Sequence, residues 1–201
     1  MKQLFTKDYY ENGRDKHLSL YENFRWMPER SLKEAHYLIK YLNIQHNDII
    51  LDYGCAKGFL VKALRILNCE AYGYDISEYA IKNCDPSVKA YVSNNILDRK
   101  YTTGFCKDVL EHCEKETIDQ NLSMLRKAAS TWLIIVPLAK NNKYIIPEYE
   151  LDKTHRLRFT KNEWVSLFDK HGFKIQKICY KLLGIKDNWE DNKGNLFLFT
   201  K

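Results

Sequence analysis

Two aspartates and two glycines are the residues of this chain whose spacing points most directly to chemistry. Asp52, Gly54 and Gly58 lie in Ile49-Ile-Leu-Asp-Tyr-Gly-Cys-Ala-Lys-Gly-Phe-Leu60, and the second acid closes Ala71-Tyr-Gly-Tyr-Asp75. An apolar run stops at Asp52, passes the glycines, and resumes with Phe59, Leu60, Val61, Ala63 and Leu64. That pattern is a buried strand, a tight loop and a helix packed back on the strand. A glycine loop followed by an acid at the end of the next strand is how a doubly wound sheet holds a nucleoside at its carboxyl edge. The alternative, glycines that merely turn a strand into a helix, leaves Asp75 unexplained.

The loop narrows the ligand. A dinucleotide prefers Gly-x-Gly-x-x-Gly, whose backbone amides meet a pyrophosphate. Here Ala56 replaces the middle glycine, and Asp52 sits where a carboxylate would repel phosphate. A phosphate loop of the Gly-x4-Gly-Lys-Ser/Thr kind is also absent, since Lys57 precedes Gly58 and no hydroxyl follows. S-adenosylmethionine fits better: it carries no phosphate, and its ammonium and sulfonium tolerate nearby carboxylates. Asp75 can then accept both ribose hydroxyls.

Three ordered segments carry a resemblance. Leu51-Asp-Tyr-Gly-Cys-Ala-Lys-Gly58, Gly73-Tyr-Asp-Ile76 and Lys107-Asp-Val-Leu-Glu-His112 resemble the class I S-adenosylmethionine-dependent methyltransferases. The likeness is to the small-molecule branch with Asp-Val-Leu-Glu-His after strand four. Asp152-Lys-Thr-His155, Arg158-Phe-Thr-Lys-Asn-Glu-Trp164 and His171-Gly-Phe173 are similar to the late part of that branch. The resemblance implies an α/β fold, a Rossmann-like three-layer αβα sandwich. Its seven-stranded, mostly parallel sheet would have the order 3-2-1-4-5-7-6, with the last strand antiparallel. It also implies a cofactor site built from Asp52, Gly54, Cys55, Ala56 and Gly58 of the loop, Asp75 and Ile76, Asn95 and Ile96, and Lys107 and Asp108. Asn95 stands where the family commonly has an acid for the adenine amino group, with Asn94 the neighbouring choice. Segments like Ser19-Leu-Tyr-Glu-Asn-Phe-Arg-Trp26 fold over the cofactor in related enzymes, so Tyr21 and Arg25 could meet its methionine carboxylate. Packing on the sheet edge is the other reading of those aromatics.

Methyl transfer is an in-line displacement at a sulfonium carbon, and positioning and water exclusion supply most of the catalysis. A hydroxyl acceptor must also lose its proton, whereas an amine attacks from its neutral form. Asp108, Glu111, His112 and His155 are the candidate bases. His155 leads, because it falls in a loop that should roof the carboxyl edge and because imidazole titrates near neutrality. His112, where the helix after strand four begins, is second; a structural hydrogen bond is the alternative for both. The reaction expected is methylation of a sugar, nucleotide-sugar or other metabolite hydroxyl. The alternatives are N-methylation of an amino sugar or small amine, and a non-catalytic protein that keeps the fold.

The elements that must position these groups alternate. Strands are expected at 48–53, 70–75, 88–92, 104–107 and 132–136, then an antiparallel hairpin at 173–180 and 196–200. Helices follow at 57–67, from Ser77 to Cys84, and around Ile118, Leu122 and Leu125. Ser31-x-x-Glu34 and Thr160-x-x-Glu163 read as capping boxes. Residues 1–30 form an N-terminal cap segment, and 31–201 one domain. With 138–160, the cap should make the substrate mouth. At 201 residues and 45% apolar the chain can bury a full core. A net charge of +6 without a dense basic stripe permits an anionic acceptor and does not call for nucleic acid. Nor is there an Asn/Asp-Pro-Pro-Tyr/Phe motif. The six cysteines form no C-x-x-C pair and no zinc-like quartet, so they read as reduced thiols in a cytoplasmic protein without a metal. No membrane-length apolar run is present.

Overall fold

The computed structural model describes residues 4–96, 99–187 and 193–201. Short helix α1 (Lys7–Glu11) and helix α2 (Pro28–Leu42) precede the sheet. Strand β1 (Ile49–Tyr53) leads through the glycine loop into α3 (Phe59–Ile66), then β2 (Glu70–Tyr74), α4 (Glu78–Lys82), β3 (Val92–Ser93) and β4 (Tyr101–Lys107). Helix α5 (Ile118–Ala128) runs directly into β5 (Ala129–Pro137). A small hairpin, β6 (Ala139–Lys140) and β7 (Lys143–Tyr144), is followed by α6 (Lys161–Lys170), β8 (Ile175–Cys179) and β9 (Asn195–Thr200).

The main sheet has the order β3-β2-β1-β4-β5-β9-β8. Counting only its own strands, this is the expected 3-2-1-4-5-7-6. The first five strands are parallel, and β9 runs antiparallel to both β5 and β8.

The period of two along the strands divides the core. Ile50 of β1 and Leu133 and Ile135 of β5 face Ala35 and Leu38 of α2 and Val61 and Leu64 of α3. Leu51, Tyr53, Trp132, Ile134 and Val136 face Leu122 and Leu125 of α5 and Trp164 and Phe168 of α6. A fully buried side chain of this size contributes about 1.5–3 kcal/mol, so these two layers hold the sheet edge rigid. At α6 the expected capping box is present: the Glu163 amide donates to Thr160 Oγ1, and the Thr160 amide donates to Glu163 Oε2.

Three expectations are corrected. The Ser31–Glu34 pair is not a capping box, because α2 starts one turn earlier with Pro28 at its first position. Proline has no amide to lose there and its fixed φ suits a helix start. Ser31 and Glu34 are thereby carried inward and buried, and the 30/31 boundary falls inside α2. Strand three is not Val88–Val92: Pro86–Val88 form a 3-10 turn, and β3 is two residues long. Pro86 sets that turn with the Asp85 carboxylate capping the Ser87 amide at 3.0 Å. The connection after β5 is not irregular throughout, for it holds β6, β7 and the 3-10 turn Pro147–Leu151.

Candidate active site

The glycine loop turns with three residues at positive φ: Gly54 at 87°, Ala56 at 48° and Gly58 at 75°. A Cβ on Gly54 would lie 2.2 Å from Val109 Cγ2, so the loop and the segment after β4 approach as closely as glycine allows. The Gly54 and Cys55 amides donate to the Tyr74 carbonyl at 2.7 and 3.0 Å, which ties the loop to the end of β2. Asp75 completes the tie. Its Oδ2 accepts from the Ala56 amide and its Oδ1 from the Ser77 amide, each at 2.7 Å. Each oxygen retains a lone pair for a ligand. Burial lifts the Asp75 carboxyl to about 6, with those two amides opposing the rise.

A cavity opens beside this loop. Gly54, Ala56, Asp75, Ile76, Lys107, Asp108 and Tyr21 line it, as does His112. Phe5, Tyr9 and Tyr10 of the N-terminal segment form the opposite wall; no motif in the sequence marks Phe5 for that place. The Ser77 hydroxyl donates to the Phe5 carbonyl at 2.6 Å, which pins that wall in place. The other sequence candidates lie outside this lining. Cys55 is buried beneath the loop, against Gly73. Gly58 is the N-cap of α3 in the left-handed region and packs towards Val88 and Val92. Asp52 is buried behind the loop near Lys107 and Glu34, which are ion-paired with each other. Burial and Glu34 push its carboxyl up to about 8, against the pull of Lys107. Asn95 and Arg25 are exposed. Ile96 belongs to a separate surface groove with Arg99 and Met124.

A second, larger chamber adjoins the first and shares Tyr9, Tyr21, Lys107, Asp108 and His112 with it. Its other walls include Arg14 and Arg30, Glu111, Asp152 and His155, and Lys186. Asp108, at φ 55°, is ion-paired with Lys186. Burial would raise the Asp108 carboxyl, but Lys186 and Lys107 outweigh it and hold it below the ordinary range. Glu111 behaves oppositely: burial and the neighbouring Asp108 push it well up.

Both candidate histidines lie here, with ring centroids 4.7 Å apart. Thr154 Oγ1 donates to Asp152 Oδ1 at 2.6 Å and lies 2.8 Å from His112 Nδ1. A carboxylate only accepts, so the hydroxyl proton points to Asp152 and His112 Nδ1 supplies the other proton. Tyr9 donates to the second Asp152 oxygen at 2.9 Å. His155 Nδ1 sits 2.8 Å from the Tyr149 carbonyl, which also only accepts. Each ring therefore carries its proton on Nδ1, and among the described residues neither Nε2 has a hydrogen-bond partner. Burial lowers His112 to about 4, and it lowers His155 below the ordinary range as well.

The comparisons agree with this geometry. Residues 24–178 match the family described as the methyltransferase domain, and the chain belongs to that family. No protein of curated function matches it. Among solved structures, a SAM-dependent methyltransferase from Archaeoglobus fulgidus is 20% identical, with 86% of this chain and 94% of that one covered and a TM-score of 0.63. Magnesium protoporphyrin IX methyltransferase from Synechocystis, with bound SAM, is 17% identical over 99% and 95% of the two chains, at 0.63. The Burkholderia thailandensis 1,6-didemethyltoxoflavin-N1-methyltransferase is 13% identical over 96% and 83%, also at 0.63. The protein is a class I S-adenosylmethionine-dependent methyltransferase, and S-adenosylmethionine is its cofactor.

Proposed function

We propose that the protein methylates a hydroxyl of a small metabolite, with the cofactor in the first chamber and the acceptor in the second. The reading rests on one observation: His112 and His155, both neutral and without an Nε2 hydrogen bond among the described residues, line the acceptor chamber, and His112 lines the cofactor chamber too. A neutral imidazole beside the acceptor can take the hydroxyl proton as the oxygen attacks the methyl carbon. The Asp152–Thr154 chain holds the His112 tautomer, and the Tyr149 carbonyl holds that of His155. Asp75 would accept the ribose hydroxyls, and Tyr21 would face the methionine end. N-methylation of a small amine is the second reading. The large chamber carries the acids Glu29, Glu34, Asp108, Glu111, Glu148, Asp152 and Asp187 against Arg14, Arg30, Lys33, Lys107 and Lys186. That excess suits an ammonium better than an anion.

Among the described residues no helix is long and apolar enough to cross a membrane, and a cytoplasmic site of action accords with the free cysteines. The test is incubation with methyl-labelled S-adenosylmethionine and pools of sugars, nucleotide-sugars and amines. Label should pass to a hydroxyl compound and stay there under conditions that hydrolyse esters. Transfer confined to amines would replace the first reading with the second.

A further inference from the structure

We propose that Glu111, His112 and His155 hold a divalent transition-metal cation between the two chambers, where the cation takes up the oxygen of the acceptor. The site uses the hydroxyl-methylation reading for its role, though not for its existence; an ion held on both Nε2 atoms takes the place of the free imidazoles in activating the acceptor oxygen. Glu111 and His112 come from the 3-10 turn Leu110–His112 after β4, and His155 from the connection after β5. One ligand atom from each lies within 4.8 Å of the other two, and all three residues are buried.

Three features separate this cluster from an ordinary buried hydrogen-bond set. First, the groups do not satisfy one another: His155 Nε2 and Glu111 Oε1 are 4.0 Å apart, beyond hydrogen-bond reach. Second, Glu111 Oε2 is buried with no hydrogen-bond partner among the described residues, although Glu111 is only 1% exposed. An orphaned carboxylate oxygen in such a place is costly unless something occupies it. Third, both histidines spend Nδ1 on an outer acceptor, Thr154 Oγ1 or the Tyr149 carbonyl. That is how ligating histidines are fixed, with the other nitrogen free for the ion.

Two imidazoles and a carboxylate suit zinc, cobalt or iron rather than magnesium or calcium. Metal–ligand bonds of about 2.0–2.2 Å need the ligand atoms about 3.3 Å apart, so the cluster must contract slightly on binding. Three protein ligands leave a position open to the acceptor chamber. A hydroxyl bound there would lose its proton to water in the chamber. The oxygen would then attack the methyl carbon as the sulfur–methyl bond breaks, its electron pair passing to sulfur. The products balance as a methyl ether, S-adenosylhomocysteine and one proton.

The test needs no turnover. Full-length protein freed of metal with a chelator is titrated with Co²⁺, read by its visible absorption, and then with Zn²⁺ by calorimetry. One equivalent of either ion should bind. Glu111→Gln and His155→Gln should each weaken binding by about tenfold or more, while S-adenosylhomocysteine binding stays within about threefold of wild type. His171→Gln, at the α6 end, should bind metal as wild type does. No uptake by the wild type, or uptake unaffected by both site variants, overturns the site. Imidazole ¹⁵N spectra of the wild type decide the same question without substitution: Zn²⁺ must shift the Nε2 resonances of two histidines, and unshifted spectra refute the proposal. Failure to bind S-adenosylhomocysteine would instead strike at the methyltransferase reading.

Discussion

Lys57 of the glycine loop and Glu11 of α1 hold each other at 2.5 Å, and the same ammonium donates to the Phe24 carbonyl at 2.7 Å. Glu11 in turn accepts from the Tyr79 hydroxyl at 2.9 Å. The loop thus grips both ends of the N-terminal segment that walls the cofactor chamber. Both side chains are mostly buried, so Lys57→Met leaves Glu11 short of a charged hydrogen bond, at a cost of about 1.5–3 kcal/mol. Hydrogen exchange across residues 4–26 should speed up in this variant while the strands keep their protection. An unaltered exchange pattern would show that the aromatic contacts alone hold the segment.

Asp75 serves two masters, the backbone amides of Ala56 and Ser77 and, in our reading, the ribose. Asp75→Asn keeps the shape but removes the charge. If each ribose hydroxyl contributes about 1.5–3 kcal/mol through a charged acceptor, affinity for S-adenosylhomocysteine should drop by at least tenfold, or about 1.4 kcal/mol. Calorimetry showing a loss under about threefold would remove Asp75 from the ribose site.

Cofactor binding should also depend on pH with a defined sign. Burial raises the Asp75 carboxyl of the free protein to about 6. A ligand offering hydroxyl donors to it favours the charged form, lowers that value and expels protons. Affinity should therefore climb as pH rises through 6 and level off above it. Calorimetry near pH 6, in two buffers of different ionisation enthalpy, should report proton release. Proton uptake would contradict the placement of Asp75.

His155→Ala should lower turnover by roughly 10²–10⁴ with cofactor affinity nearly unchanged. Because burial depresses His112 to about 4 and His155 below its usual value, the wild-type rate should fall to half its maximum only below pH 6.5. A rate that already halves at pH 7 would mean another group governs the proton.

His112 also makes a stability prediction. Unfolded, it takes a proton near 6.5, whereas the native protein resists until about 4. Between those values the unfolded state binds more protons, so this residue's contribution to native stability declines as pH falls. The buried carboxyls act in the opposite direction, so the comparison must be differential. Wild type should lose more stability than His112→Gln between pH 6.5 and 4 in urea titrations. Parallel curves would place the imidazole in contact with solvent.

The loop and Asp75 were legible because local pattern dictates them, two glycines in a strand-to-helix turn and an acid at a strand end, whereas the sheet order followed from the family resemblance and not from any local pattern. The start of α2 was not. Ser31 and Glu34 satisfy the spacing of a capping box, yet Pro28 fixes the start one turn earlier and Glu34 turns inward to Lys107. Lys57–Glu11 and Asp108–Lys186 join residues 46 and 78 positions apart, and nothing in either neighbourhood announces its partner. Glu111 was visible as a candidate base. Its orphaned oxygen was not, because hydrogen-bond satisfaction exists only in three dimensions. Asn95 and Arg25 were placed at the cofactor by position in a pattern, and both side chains are exposed, outside the lining of either chamber.

The two-residue length of β3 bears on how the protein behaves in a crowded solution. A sheet grows by adding strands to its borders, and long flat borders are where chains stick together. On one side, among the described residues, only Val92 and Ser93 present a strand to an incoming chain. On the other, β8 is broken by an irregularity between Ile175 and Lys177 and carries Gln176 and Lys177 outward. Both borders are poor templates, so a chain with this much apolar sheet is guarded against ribbon-like self-association.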